Sequence, residues 1–250
     1  MEIKGYQIGK GKPLICVPVM ETEKEQIVEK IKRLSESEAE MIEWRIDAFA
    51  HWQDYNAIRE VFESTKKWLE KKIFLATFRS KRQGGVSEIT PEQRDDMQDL
   101  IVEAGCVDLI DVEFFEETHP AMKIKKLQKK GIKVVASHHD FDETPEREVM
   151  KMIVEKMCVG NADIVKLAVM PHNMEDVLSL LSVTGQFAEE NDDTPIITMS
   201  MGTLGMVSRI CGESFGSAVT FAADQGGSAP GQLALNDMTE ILDRLHRYYK

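Results

Sequence analysis

Apolar runs of seven or eight residues, several rich in β-branched side chains, recur along this chain: LICVPVM, MIEWRID, IFLATFR, LIDVEFF, KVVASHHD, DIVKLAVM, PIITMSMG and AVTFAAD. Between them lie charge-rich stretches with helical spacing of the apolar positions: up to Ser37, 54 to 71, from Pro91 onward, 121 to 130, 145 to 159, 174 to 190 and 204 to 212. Runs that are apolar throughout suit strands covered on both faces, as in parallel sheets. The strands recur at roughly 23 to 35 residues, the size of a βα unit. Eight such units with no Pro/Gly/Ser-rich linker predict a single (β/α)8 barrel over residues 1 to 250. The alternative is a doubly wound open sheet. Its nucleotide-binding forms are weakened by the lack of a glycine-rich phosphate signature after the first strand.

Period-two alternation decides which side chains would face the barrel interior. In MIEWRID it puts Glu43, Arg45 and Asp47 on one face and Ile42, Trp44 and Ile46 on the other. The apolar set suits the helical layer, so the charges are expected to point inward, either as an ion-pair network closing the barrel or as a site. Arg79 ends the third run, where it suits that network or a substrate, and Asp111 and Glu113 share a face in the fourth. Barrel chemistry sits at the C-terminal ends of strands, which is where these residues fall.

Two residues point to a particular chemistry. Lys166 stands inside ADIVKLAVM, where a lysine has either to reach the surface or to serve as an amine. His139, on the same side of its run as Val135 and Ser137, lies one strand earlier, and neighbouring units are neighbours in such a barrel. A buried amine can attack a carbonyl carbon, and a histidine beside it can move the protons. The adjacent His138 would face the other way.

Composition narrows the partners. Lys plus Arg total 31 against 43 Asp plus Glu, a net charge of -12, so nucleic acid and anionic membranes are disfavoured. No stretch has the length of a membrane span or signal core, so a cytoplasmic protein is expected. Cys16, Cys106, Cys158 and Cys211 are scattered and suggest neither a metal site nor disulfides. The glycine-rich DQGGSAPGQ at 224 to 232 has the composition of a substrate lid.

EWRID at 43 to 47, TFR at 77 to 79, HDF at 139 to 141, KLA at 166 to 168, TMSMG at 198 to 202, SR at 208 to 209 and SAPGQ at 228 to 232 together resemble type I 3-dehydroquinate dehydratases, in order along the whole chain. The resemblance implies a barrel enzyme of the shikimate pathway that converts 3-dehydroquinate to 3-dehydroshikimate without metal or organic cofactor, and often a homodimer. It implies Lys166 as the imine-forming residue and His139 as the general acid/base. It places Glu43, Arg45, Arg79, Met199, Met201, Arg209, Phe221, Ser228, Ala229 and Gln232 against substrate, with Arg209 on the carboxylate and Asp111 behind them. One position departs from the pattern: Gln83 stands in RQGG where the resemblance leads to a glutamate. Two rivals are a class I aldolase, which would need a phosphate cradle near the last strands, and a barrel that binds a metabolite without turning it over.

Overall fold

The computed structural model describes residues 1–224 and 231–249. A short antiparallel hairpin, β1 (Glu2–Ile3) and β2 (Tyr6–Gln7), precedes eight parallel strands. These are β3 (Leu14–Val19), β4 (Met41–Arg45), β5 (Ile73–Thr77), β6 (Leu109–Glu113), β7 (Lys133–Asp140), β8 (Ile164–Val169), β9 (Ile196–Ser200) and β10 (Val219–Phe221). They lie in the order β10-β3-β4-β5-β6-β7-β8-β9, each beside its neighbour in sequence. The ring closes just before β10, where Ser217 bridges Ile196 and the Ala218 N–H donates to the Ile196 carbonyl at 2.7 Å. The result is the expected (β/α)8 barrel.

Helices α1 (Lys24–Ser35), α2 (Tyr55–Thr65), α3 (Pro91–Ala104), α4 (Pro120–Lys129), α5 (Arg147–Val159) and α6 (Met174–Glu190) follow β3 to β8. Their starts are set locally. Asp54 accepts from the Asn56 and Ala57 N–H groups, while Thr90 with Gln93 and Asn173 with Asp176 form reciprocal capping boxes. Each such cap is worth about 1 kcal/mol. The single helix expected at 204 to 212 is instead two short ones, α7 (Met206–Ile210) and α8 (Gly212–Phe215), broken at Cys211. The hairpin and the last helix, α9 (Leu235–His246), are additions to the expected pattern.

The alternation of side chains sorts the core into two layers. Ile42, Trp44 and Ile46 join the large cluster between sheet and helices, where Trp44 meets Phe62 edge-on at 4.9 Å. Met41, Leu75, Val135, Ile164 and Ile197 fill the interior of the ring. Ile8, with Ile3 and Tyr6 packed alongside, belongs to that inner cluster and plugs the end where the strands begin. The opposite end is left to polar side chains. No helix among the described residues is long and apolar enough to cross a membrane.

Candidate active site

At the C-terminal ends of the strands lies a cavity of about 310 Å³. Glu43, Arg45, Arg79, Gln83, His139, Lys166, Met199, Met201, Arg209, Phe221 and Gln232 all line it. Ser228, Ala229 and most of the 224 to 232 segment fall outside the described residues.

Lys166 and His139 both face inward because their strands alternate as expected. Ser137 is level with Lys166 and His139 with Ala168, so the histidine stands one inward position above the lysine on the adjoining strand. Lys166 Nζ is 3.8 Å from Glu43 Oε1 and 4.3 Å from the centre of the Phe221 ring. Glu43 Oε1 also accepts from the Thr77 hydroxyl at 2.9 Å.

His139 is the inward-facing histidine of this mouth. Burial, and then the positive charges of Arg79, Lys166, Arg45 and protonated His138, hold its pKa well below the ordinary 6.5. A neutral imidazole is the form that can take a proton. His138 turns outward onto Phe115, ring centres 5.2 Å apart.

Arg79 is buried and fully engaged by the protein. Its guanidinium donates to Asp111 Oδ2 at 2.8 Å and, through Nη1, to Glu113 Oε1 and the Ser137 hydroxyl, both at 3.0 Å. Burial opposes its charge, but Asp111 and Glu113 more than offset this, and its pKa is raised. Asp111 thus lies behind the arginine and does not line the cavity.

Asp47 corrects the alternation argument. The strand ends at Arg45, and Asp47 sits in a 3-10 turn over Ile46–Ala48, outside the cavity lining. Its carboxylate accepts from Arg45 Nε and Nη2 at 2.8 and 2.9 Å and from the backbone N–H groups of Arg79 and Val86. It therefore ties the loop after β4 to the loop after β5.

Arg209 has the opposite surroundings to Arg79. It is 4 % exposed, burial lowers its pKa, and its Nε and Nη1 have no hydrogen-bond partner among the described residues. Ser208 fixes its short helix by donating to the Gly205 carbonyl at 2.7 Å and accepting from the Ser200 N–H at 3.0 Å. A buried cation with unused donors is built to receive an anion.

Phe141 also lines the cavity and lies parallel to the His139 ring at 6.5 Å, although residue-type reasoning passed it over. It follows the end of β7 at Asp140, so alternation does not place it, and its signal in the sequence is the HDF motif at 139 to 141.

The sequence matches the model of the type I 3-dehydroquinase family over residues 15–249. The chain belongs to that family. Membership makes it an enzyme, a hydro-lyase. It is 37 % identical over 250 residues to the 3-dehydroquinate dehydratase of Clostridium kluyveri, covering 99 % of this chain and 98 % of that one. The Clostridioides difficile enzyme is 38 % identical over 248 residues, with 99 % and 97 % covered. Among solved structures, the type I enzyme of Clostridium difficile with covalently modified comenic acid superposes with a TM-score of 0.95 at 38 % identity, covering 99 % of this chain and 98 % of that one. The Geobacillus kaustophilus enzyme gives 0.92 at 32 % identity, with 100 % and 97 % covered.

Proposed function

We propose that this barrel dehydrates 3-dehydroquinate to 3-dehydroshikimate through an imine on Lys166, with His139 moving the protons. The observation that carries the reading is the pairing of Lys166 and His139 on adjoining strands of one cavity that also holds a buried arginine with unused donors. Lys166 Nζ, once neutral, attacks the C3 ketone, and loss of water gives the imine. The imine accepts electrons better than the ketone, so the C2 proton can pass to the neutral His139. The resulting enamine expels the C1 oxygen, which leaves as water with the proton His139 returns. Hydrolysis of the imine then frees product and lysine, and the net change is the loss of one water. Arg209 receives the substrate carboxylate throughout, with Arg45, Glu43 and Gln232 placed for its hydroxyls.

A covalently modified ligand in the Clostridium difficile relative is in keeping with a nucleophile in this kind of site. The same reading takes residues 1 to 250 as one catalytic barrel, acting in the cytoplasm as a homodimer without metal or organic cofactor. Sedimentation equilibrium tests the dimer. The enone absorbance of the product tests the reaction, and borohydride reduction with 3-dehydroquinate followed by peptide mapping tests the imine. Adduct at any lysine other than Lys166, or near-normal turnover in Lys166→Ala, would refute the mechanism.

A further inference from the structure

The loops that carry Arg209 and Gln232 meet backbone to backbone, with no side chain between them. Gly202, just past the end of β9, lines the cavity together with Arg209 and Gln232. The turn that it opens leads into α7, the helix of Arg209. Against it stands Gly231, the residue before Gln232 in the chain. A Cβ on Gly231 would lie 2.1 Å from the Gly202 carbonyl oxygen and 2.6 Å from its carbonyl carbon. Both are backbone atoms, so no change of rotamer can move them aside. An ordinary carbon–oxygen contact is about 3.3 Å or longer, so a side chain here would force the two loops apart by roughly 1 Å.

Both sides of this seam are anchored beyond it. On the β9 side, the Met201 N–H donates to the Val169 carbonyl at 2.8 Å, and a Cβ on Gly205 would lie 2.2 Å from the Ser200 carbonyl oxygen. The turn before α7 is therefore pressed onto its own strand. On the β10 side, the Ala223 N–H donates to the Leu233 carbonyl at 2.9 Å, and the Leu235 N–H donates to the Ala223 carbonyl at 2.7 Å. Gln232 thus sits between two fixed points, the Gly231 contact before it and the bridge of Ala223 with Ala234 after it. Its side chain enters the cavity from a backbone that cannot drift away from Arg209.

We propose that Gly231 is a positioning residue for the reaction: by bearing no side chain, it lets the chain after β10 close on the turn after β9, and so sets Gln232 and Arg209 around one substrate. The proposal rests on the reading of those two side chains as substrate-binding groups. The carboxylate and hydroxyls of 3-dehydroquinate sit on one ring, so two protein groups hold them together only when the distance between those groups is fixed. A misplacement of about 1 Å costs as much as about 100-fold in such an arrangement.

Gly5 supplies the control. It has a similar positive φ, +84° against +80° for Gly231, but nothing lies within 4 Å of a Cβ built on it, and it belongs to the hairpin at the other end of the barrel. In steady-state kinetics of the full-length enzyme, Gly231→Ala should raise KM by about 10- to 100-fold while kcat falls less. Gly231→Asn should do the same, because asparagine accepts a positive φ and the obstacle is its Cβ. Gly5→Ala should leave KM unchanged. Gln232→Ala should raise KM by itself, and adding Gly231→Ala to it should raise KM little further, since the glycine acts through that neighbour. A normal KM in Gly231→Ala or Gly231→Asn, an equal rise in Gly5→Ala, or full multiplication of the two effects in the double variant would each overturn the assignment. Failure of the Gly231 variants to fold, with Gly5→Ala folded, would make the contact one of stability alone and overturn it as well. An unaltered protein that forms no enone from 3-dehydroquinate would instead overturn the reading of the reaction, and this assignment with it.

Discussion

Arg79 and Arg209 stand at the same barrel mouth and are almost equally buried, 3 % and 4 % exposed, but their surroundings differ. Arg79 is held by two carboxylates and a hydroxyl contributed by β6 and β7. For Arg209, burial is the cause of its lowered pKa, and two of its donors have no partner among the described residues. Burying a charge is costly unless it is paired. The Arg79 side offsets that cost within the protein, whereas the Arg209 side leaves it to be offset by a ligand. One half of the mouth is therefore scaffold, and the other, in the proposed reaction, is the receptor for an anion that the net charge of -12 would otherwise repel.

The largest expected effect lies on the scaffold side. Arg79→Ala would leave Asp111 and Glu113 buried without their cation and should cost about 3 to 5 kcal/mol, read as a shift in the urea midpoint. Arg209→Ala removes a charge that has no such partners, so the ligand-free protein should keep or slightly gain stability. If both variants lost stability equally, the contrast between the two arginines would collapse.

Between the two sides, His139→Ala should slow turnover by about 100-fold or more, the usual scale for losing a general acid/base. His138→Ala, whose ring packs outward on Phe115, should change kcat little. Equal losses in steady-state kinetics would show that the inward histidine has no separate role.

On the receptor side, Arg209→Ala should raise KM by about 10-fold or more while kcat falls less, since a carboxylate contact made before and during the chemistry counts as uniform binding. An unchanged KM would remove Arg209 from the anion site.

How much of this contrast the sequence carries depends on the kind of contact. Strand parity alone reads Lys166, His139, Glu43 and Arg45 as inward, because alternation is a property of each strand by itself. It fails at Asp47, where the strand gives way to a turn and parity no longer applies. The role of Arg79 stayed open between network and substrate because its partners come from other strands, at distances no local pattern encodes. The two-residue strands of the hairpin are too short to show a period. α9 does carry a helical signal in buried Leu235, Met238 and Leu242, but it lies beyond the last strand, outside the repeating pattern of strands and helices.

The smallest effect separates the two sides by pH. Burial and the charges of Arg79, Lys166, Arg45 and His138 lower the pKa of His139, so its neutral form persists below pH 6.5 and kcat/KM should hold there, falling only in more acid solution. Folding stability should follow the same sign. Below the unfolded value of about 6.5 the unfolded chain binds a proton that the native histidine does not, so stability declines as pH falls through that window. Arg45→Leu removes one of the opposing charges and frees Asp47, and both changes favour the imidazolium. The acidic limb should therefore move to higher pH, though only modestly, because Asp47 already balances much of the Arg45 charge. Arg209 is not among the main charges acting on His139, and Arg209→Ala should leave the limb close to where it is. A limb that moved with Arg209 and stood still with Arg45 would mean that the proton-handling group belongs to the receptor side, and the division of the mouth into scaffold and receptor would have to be redrawn.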